Sequence, residues 1–182
     1  MLAEADVAVL APTDLDVDWD PPEETGLTFI ENALIKARVA SSVTGLPVIA
    51  EDSGLVVDAL GGRPGVRSAR FAGPKASDTA NTEALLRLLE AVRDPRPIAH
   101  FYCVMVYLRS PIDPAPILSE GVWTGHILKA PQGLGGFGYD PVFGVSGLGL
   151  SAAELSTADK NRLSHRGQAL RALLSKCEAL GW

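Results

Sequence analysis

Helical spacing is the first pattern in the chain: Phe29, Ala33 and Ala37 recur along one face, and Ile30, Leu34 and Val43 widen it into an apolar surface. The stretch therefore reads as a packed helix. Thr28 is placed to cap its start, Glu31 completes a capping box, and Gly45 follows Thr44 as its stop. The next pattern is a short β-branched run, Val48-Ile49-Ala50, expected to be a buried strand that ends at Glu51, Asp52, Ser53 and Gly54. Gly54 is expected to turn the backbone, and Leu55 to Leu60 to form a further short strand or turn. A second helix is expected from Asp78 to Val92, with Leu85, Leu86, Leu88 and Leu89 as its apolar stripe. Two strand-like runs, Ala99 to Leu108 and Ile117 to Ile127, flank the proline-rich turn Pro111 to Pro116 and predict an antiparallel hairpin. The last element reads as one long helix from Thr157 to Leu180, buried through Leu170, Leu173, Leu174 and Leu180 and weakened at Gly167. At the front, Met1 to Ala5 resembles the last turn of a helix and Val7 to Leu10 a strand. An acidic loop follows, in which Asp14, Asp16, Asp18 and Asp20 alternate with Leu15, Val17 and Trp19.

Length and charge narrow the function. The chain has 182 residues, enough for one domain or two small lobes with a substantial core. Its net charge of -6 argues against a general nucleic-acid or membrane-surface binder, since either partner calls for a basic face. An anionic small molecule stays open if local cations or a metal offset its charge. The only cysteines, Cys103 and Cys177, have no ligand-type spacing and fit a reducing compartment. No leader-like segment or bilayer-length apolar run is present, so the expectation is a cytoplasmic protein.

The chemistry concentrates in five places. At the end of the first strand, Glu51 and Asp52 should point to opposite faces, so one of them is available to a ligand. Asn32 and Lys36 stand at i and i+4 on one side of the first helix. Lys36 is then either a surface lysine or, if that side faces Asp52, a phosphate-binding cation. The stretch Gly61 to Phe71 carries Arg63, Arg67 and Arg70 on a glycine- and proline-shaped loop, suited to a phosphate ligand or a partner subunit. Gly133 to Phe143 sets Phe137 and Tyr139 beside Asp140 and Pro141, which suits either a planar base or a tight aromatic-packed turn. Near the end, Lys160, Ser164, His165 and Arg166 precede Gly167. His100 and His126 have no neighbouring carboxylate in sequence and read as ordinary strand residues.

Together these stretches resemble one family. EETGLTFIENALIKA (Glu23 to Ala37), EDSGL (Glu51 to Leu55), LGGRPGVRSARFAG (Leu60 to Gly73), GGFGYDPVF (Gly135 to Phe143) and SHRGQAL (Ser164 to Leu170) are similar, in order and spacing, to the inosine triphosphate pyrophosphatases. The resemblance implies magnesium-dependent hydrolysis of ITP, dITP and XTP to the nucleoside monophosphate and pyrophosphate. It implies an α/β fold with an elongated mixed β-sheet flanked by helices, two lobes around a central cleft, one domain over residues 1–182, and a homodimer. By the same resemblance Asp52 is the general base and a metal ligand, and the Glu23-Glu24 pair supplies the second metal carboxylate. Lys36 contacts the triphosphate and Ser53 the substrate. Phe137, Gly138, Tyr139 and Asp140 form the base-binding loop, while Lys160, His165 and Arg166 recognise the 6-keto edge and hold the nucleotide. Family members usually begin with a strand and a Thr-x-Asn-x-x-Lys loop, which have no counterpart before Met1 to Ala5 here. A start about fifteen residues upstream is the expectation. Three alternatives are kept: a nucleotide-binding module without turnover, a pyrophosphatase for other modified nucleotides, and an arginine loop that serves dimer contacts.

Overall fold

The hydroxyl of Thr28 accepts the backbone N–H of Glu31 at 3.2 Å, and the Glu31 carboxylate accepts the Thr28 N–H at 2.8 Å. This reciprocal cap opens α1 (Phe29–Thr44), which closes on Gly45 in the left-handed conformation, φ 68°. The sequence reading of α1 therefore holds at both ends. Loss of the Thr28 hydroxyl leaves the Glu31 amide unsatisfied, so Thr28→Ala should cost about 1 kcal/mol, read as a lowered urea midpoint at unchanged slope.

The computed structural model describes residues 8–181. Four strands, β1 (Val48–Val57), β2 (Ile98–Leu108), β3 (Ile117–Ile127) and β4 (Phe143–Val145), form one sheet in the order β1-β2-β3-β4. β3 and β4 pair antiparallel, with Gly125 opposite Val145 and Ile127 opposite Phe143. The helices after α1 are α2 (Asp78–Leu89), α3 (Thr157–Leu163) and α4 (His165–Ala179), with short 3₁₀ turns between elements. The α/β class expected from the sequence is the one observed, and the two expected strand runs, as β2 and β3, are neighbours in the sheet.

The chain groups into two compact units. One holds residues up to Asp52, Val104–Glu120 and residues from Ala169 onward. Its interior includes Ala33, Ala37, Val104, Val106, Leu108 and Leu173, all fully buried. The other holds Ser53–Cys103 and Gly121–Gln168. Its core gathers Leu55, Val57, Leu85, Phe101, Trp123, Val142 and Phe143. Phe143 tilts against Phe101 at 4.6 Å and against Trp123 at 5.1 Å, centroid to centroid.

Several expectations change. β1 does not stop at Asp52: Gly54 is a buried strand residue rather than a turn, and the strand continues to Val57 because Leu55 and Val57 fill the core of the second unit. The long C-terminal helix is two helices. Ser164 is extended (φ -65°, ψ 155°). Its N–H ends α3 on the Lys160 carbonyl, and its hydroxyl accepts the Gly167 N–H at 3.2 Å to start α4. The break thus lies at a capping serine and not at Gly167, and Lys160 and Ser164 do not share a continuous helix face. α2 ends at Leu89 rather than Val92. Val43, Leu88 and Leu180, read as packing residues, are instead exposed by 40%, 40% and 63%: each lies at the margin of its helix's buried face, where helical spacing alone does not decide burial. Ala8 to Leu10 form no strand; the readings on Met1 to Ala5 and Val7 lie outside the described residues.

Candidate active site

Asp52 sits in the middle of β1, 6% exposed, and its two carboxylate oxygens are held by two residues one turn apart on α1. Lys36 Nζ donates to Oδ1 at 2.6 Å, and Asn32 Nδ2 donates to Oδ2 at 3.2 Å. The side of α1 that carries Asn32 and Lys36 does face Asp52, the arrangement on which the reading of Lys36 as a phosphate-binding cation depends. Lys36 also meets Glu24 Oε1 at 2.8 Å and the Glu51 carbonyl at 3.0 Å. Glu24 is therefore gathered to Lys36, while Glu23 is exposed.

Burial raises the Asp52 pKa from its ordinary value, and the Glu24 charge adds to it against the opposing pull of Lys36 and Asn32. Burial pulls the Lys36 pKa down, but its bonds to Asp52 and Glu24 outweigh that and leave it raised. Lys36 is thus a cation at any working pH. Two carboxylates and a carbonyl around one ammonium make an all-oxygen donor set, the kind that hard Mg²⁺ takes. Among the described residues no group of three His, Cys, Asp or Glu could hold a metal alone.

The second unit carries a separate constellation. Phe137 is 56% exposed, and both Lys160 Nζ, at 4.5 Å, and the Arg166 guanidinium, at 4.9 Å, lie over its ring. Lys160 is also paired with Asp140, whose Oδ2 accepts the Phe137 N–H at 2.8 Å. Arg166 donates to the Ser53 hydroxyl at 3.1 Å. Ser53, Phe137, Asp140, Lys160 and Arg166 are thereby brought into one connected cluster. Tyr139 takes another position: it is 4% exposed and its hydroxyl donates to the Ser68 carbonyl at 2.9 Å. Burial, with the Asp78 charge, raises its phenol pKa. Its ring is a core element. Gly138 is tied down by residues that the sequence left without chemistry: its N–H donates to Asp78 Oδ2 at 2.6 Å, and its carbonyl accepts from Thr82 at 3.4 Å.

His165 opens α4, 6% exposed, its ring stacked on Phe101 at 4.8 Å and 10°. Its Nδ1 is buried with no hydrogen-bond partner among the described residues. Burial, then the Arg166 and Lys160 charges, push its pKa down to about 3. The imidazole is neutral in the folded state near neutral pH. Because the folded pKa lies below the ordinary value of 6.5, this contribution to stability is full above pH 6.5 and is lost as the pH falls toward 3. Between pH 8 and pH 5 it should remove about 2 kcal/mol from the unfolding free energy, a loss that His165→Gln should abolish in paired urea titrations. An equal acid loss in the variant would refute it. His100, by contrast, meets Asp58 Oδ1 at 3.3 Å and Thr124 Oγ1 at 3.0 Å, a carboxylate partner the local sequence did not reveal.

Neither cysteine forms a disulfide, and no helix among the described residues is long and apolar enough to cross a membrane.

Comparison with known proteins bears on the whole chain. The model of the Ham1 family matches residues 1–176. A dITP/XTP pyrophosphatase from Erwinia tasmaniensis is 55% identical over 174 residues, covering 96% of this chain and 84% of the relative. One from Xanthomonas campestris is 56% identical over 180 residues, covering 99% of this chain and 89% of the relative. Among solved structures, a HAM1 protein from Coxiella burnetii superposes with a TM-score of 0.84 at 48% identity, covering 88% of this chain and 81% of that one. A nucleoside-triphosphatase / dITP/XTP pyrophosphatase from Mycobacterium abscessus superposes with a TM-score of 0.78 at 43% identity, covering 95% and 90%. Shared fold and sequence over nearly the full length carry the conclusion that this chain belongs to the Ham1 family, the inosine triphosphate pyrophosphatases that its motifs resemble.

Proposed function

We propose that this protein is a dITP/XTP pyrophosphatase, acting also on ITP, that removes these nucleotides from the pool as the monophosphate and pyrophosphate. The observation that supports the reading best is the buried Asp52, whose pKa is raised and whose two oxygens are held by Lys36 and Asn32. In this reading Asp52 takes a proton from water as the water oxygen attacks the α-phosphorus. The bond from that phosphorus to the bridging oxygen of the β-phosphate breaks, and pyrophosphate leaves. Lys36 stabilises the charge that develops on the phosphates. Asp52 and Glu24 are the residues that would hold Mg²⁺. When bound, the ion supplies neutralisation of phosphate charge and polarisation of the phosphoryl oxygens.

Base recognition is assigned to the residues of the second unit. Phe137 offers a ring face, steadied by Asp140 through its backbone and by the two cations above it. Ser53 and Arg166 contact the nucleotide, and Gly138 and Tyr139, held by Asp78, Thr82 and Ser68, are assigned to the loop that binds the base. A neutral His165 has one ring donor and one acceptor, and its unpartnered Nδ1, in the tautomer that carries the proton there, is assigned as donor to the purine's keto oxygen. An adenine amino group in that place would leave the protein's buried polar groups unpaired, which is how such sites discriminate. A homodimer belongs to the same reading and rests on the family resemblance.

The test is pyrophosphate release from dITP and dATP, with and without magnesium. Metal-dependent release favouring dITP by about 10²-fold in kcat/KM is expected. Equal rates on the two nucleotides, or no release from folded protein, would overturn the reading.

A further inference from the structure

Asn32 is a fully buried polar side chain, and both ends of its amide are committed. Its Oδ1 accepts the Gly26 N–H at 2.8 Å, and its Nδ2 donates to Asp52 Oδ2 at 3.2 Å. The orientation is forced: a backbone N–H only donates, so the amide oxygen must face Gly26 and the nitrogen must face the carboxylate. The approach at Gly26 is close. A Cβ there would come within 2.6 Å of Asn32 Oδ1 and 2.6 Å of Glu31 Cβ, so a side chain at position 26 pushes the segment off the amide.

These contacts close a ring. Gly26 lies two residues after Glu24, Glu24 meets Lys36, Lys36 holds Asp52 Oδ1, and Asn32 holds Asp52 Oδ2 while gripping Gly26. α1 is the rigid member, since Asn32 and Lys36 are one turn apart on it. We propose that Asn32 is a positioning residue: by holding the Gly26 backbone with its oxygen and Asp52 with its nitrogen, it fixes the Glu24 and Asp52 carboxylates against one another. The inference rests on the pyrophosphatase reading. Asn32 acts through Asp52 and the Glu24 segment and does not itself touch substrate. A buried amide at this place is otherwise unfavourable compared with an apolar residue of the same volume, which would need no partners.

The experiment uses Asn32→Leu, which keeps the branching and number of heavy atoms but removes both hydrogen bonds, and Gly26→Ala, which breaks the grip on the Gly26 segment and leaves the Asn32 amide in the protein. Kinetics on dITP are paired with Mn²⁺ binding to the nucleotide-free protein, followed by the electron paramagnetic resonance signal of the free ion. Asn32→Leu should lower kcat about 30-fold with KM changed less than about threefold, and weaken Mn²⁺ binding about tenfold. Gly26→Ala should weaken Mn²⁺ binding by a similar factor with a smaller fall in kcat. An Asn32 that only supported the fold would lower the melting temperature without this division between the variants. The inference is overturned if Asn32→Leu melts within a few degrees of wild type and keeps kcat and Mn²⁺ affinity, or if Gly26→Ala binds Mn²⁺ as tightly as wild type. Should Asn32→Leu not fold, the Mn²⁺ affinity of Gly26→Ala decides alone. Wild-type protein that binds Mn²⁺ but releases no pyrophosphate would sink the pyrophosphatase reading, while the binding measurements still judge Asn32.

Discussion

Asp52→Asn is expected to lower the rate of pyrophosphate release from dITP by about 10³-fold, equivalent to about 4 kcal/mol of activation free energy. Asparagine keeps the size of the side chain and an oxygen for Lys36, so what is removed is proton acceptance by the carboxylate. The variant should remain folded. Burial already disfavours the ionised form of Asp52, so a neutral replacement is spared that desolvation cost. It also places an amide nitrogen near the Asn32 Nδ2, which offsets part of the gain. Single-turnover kinetics on dITP, with a thermal melt of the same sample, separate the two effects. A variant that melts like wild type and turns over within tenfold of it would remove Asp52 from the role of base.

Lys36→Met comes next in size. The ammonium is gripped by Glu24, Asp52 and the Glu51 carbonyl, so its loss leaves two carboxylates without the cation between them. The rate on dITP should fall about 10²-fold, because charge developing on the phosphates loses its partner. In the absence of metal the variant should also lose about 2 kcal/mol of stability at pH 7. The sign follows from the raised Lys36 pKa: its stabilisation is present below the ordinary lysine value and is lost as the pH rises through the folded one. A second outcome is sharper. Added Mg²⁺ should raise the melting temperature of Lys36→Met more than that of wild type, since the carboxylates no longer have an internal cation to displace. Equal magnesium shifts in both proteins would argue that Glu24 and Asp52 do not share an ion.

What could be read from the sequence was local. The capping box at Thr28 and Glu31, the stop at Gly45 and the two long strands were all legible, because each rests on residues a few positions apart. Placing Asn32 and Lys36 on one side of a helix was legible for the same reason, but that this side meets Asp52 was not, since it depends on how α1 packs on β1. Gly54 misled because glycine favours turns in isolation, whereas here the sheet holds it extended among buried neighbours. Tyr139 looked like a partner for a base because it lies beside glycines; its hydroxyl instead found Ser68, far off in sequence. Glu23 and Glu24 could not be separated by composition, and only the approach of Lys36 distinguishes them. The break at Ser164 was hidden by a helical pattern that runs through it, although a serine able to cap was present in plain sight.

That break also divides the support of Phe137 between two helices. α3 spans seven residues, none of them buried, whereas α4 is anchored through His165, Ala169 and Leu173. A helix so short has little cohesion of its own, and opening it costs much less than opening the core. Because Ser164 separates the two, Lys160 and Arg166 reach the Phe137 ring from two helices rather than one, the first also held by Asp140 and the second by Ser53. Hydrogen exchange should show the amides of α3 exchanging faster than those of α4.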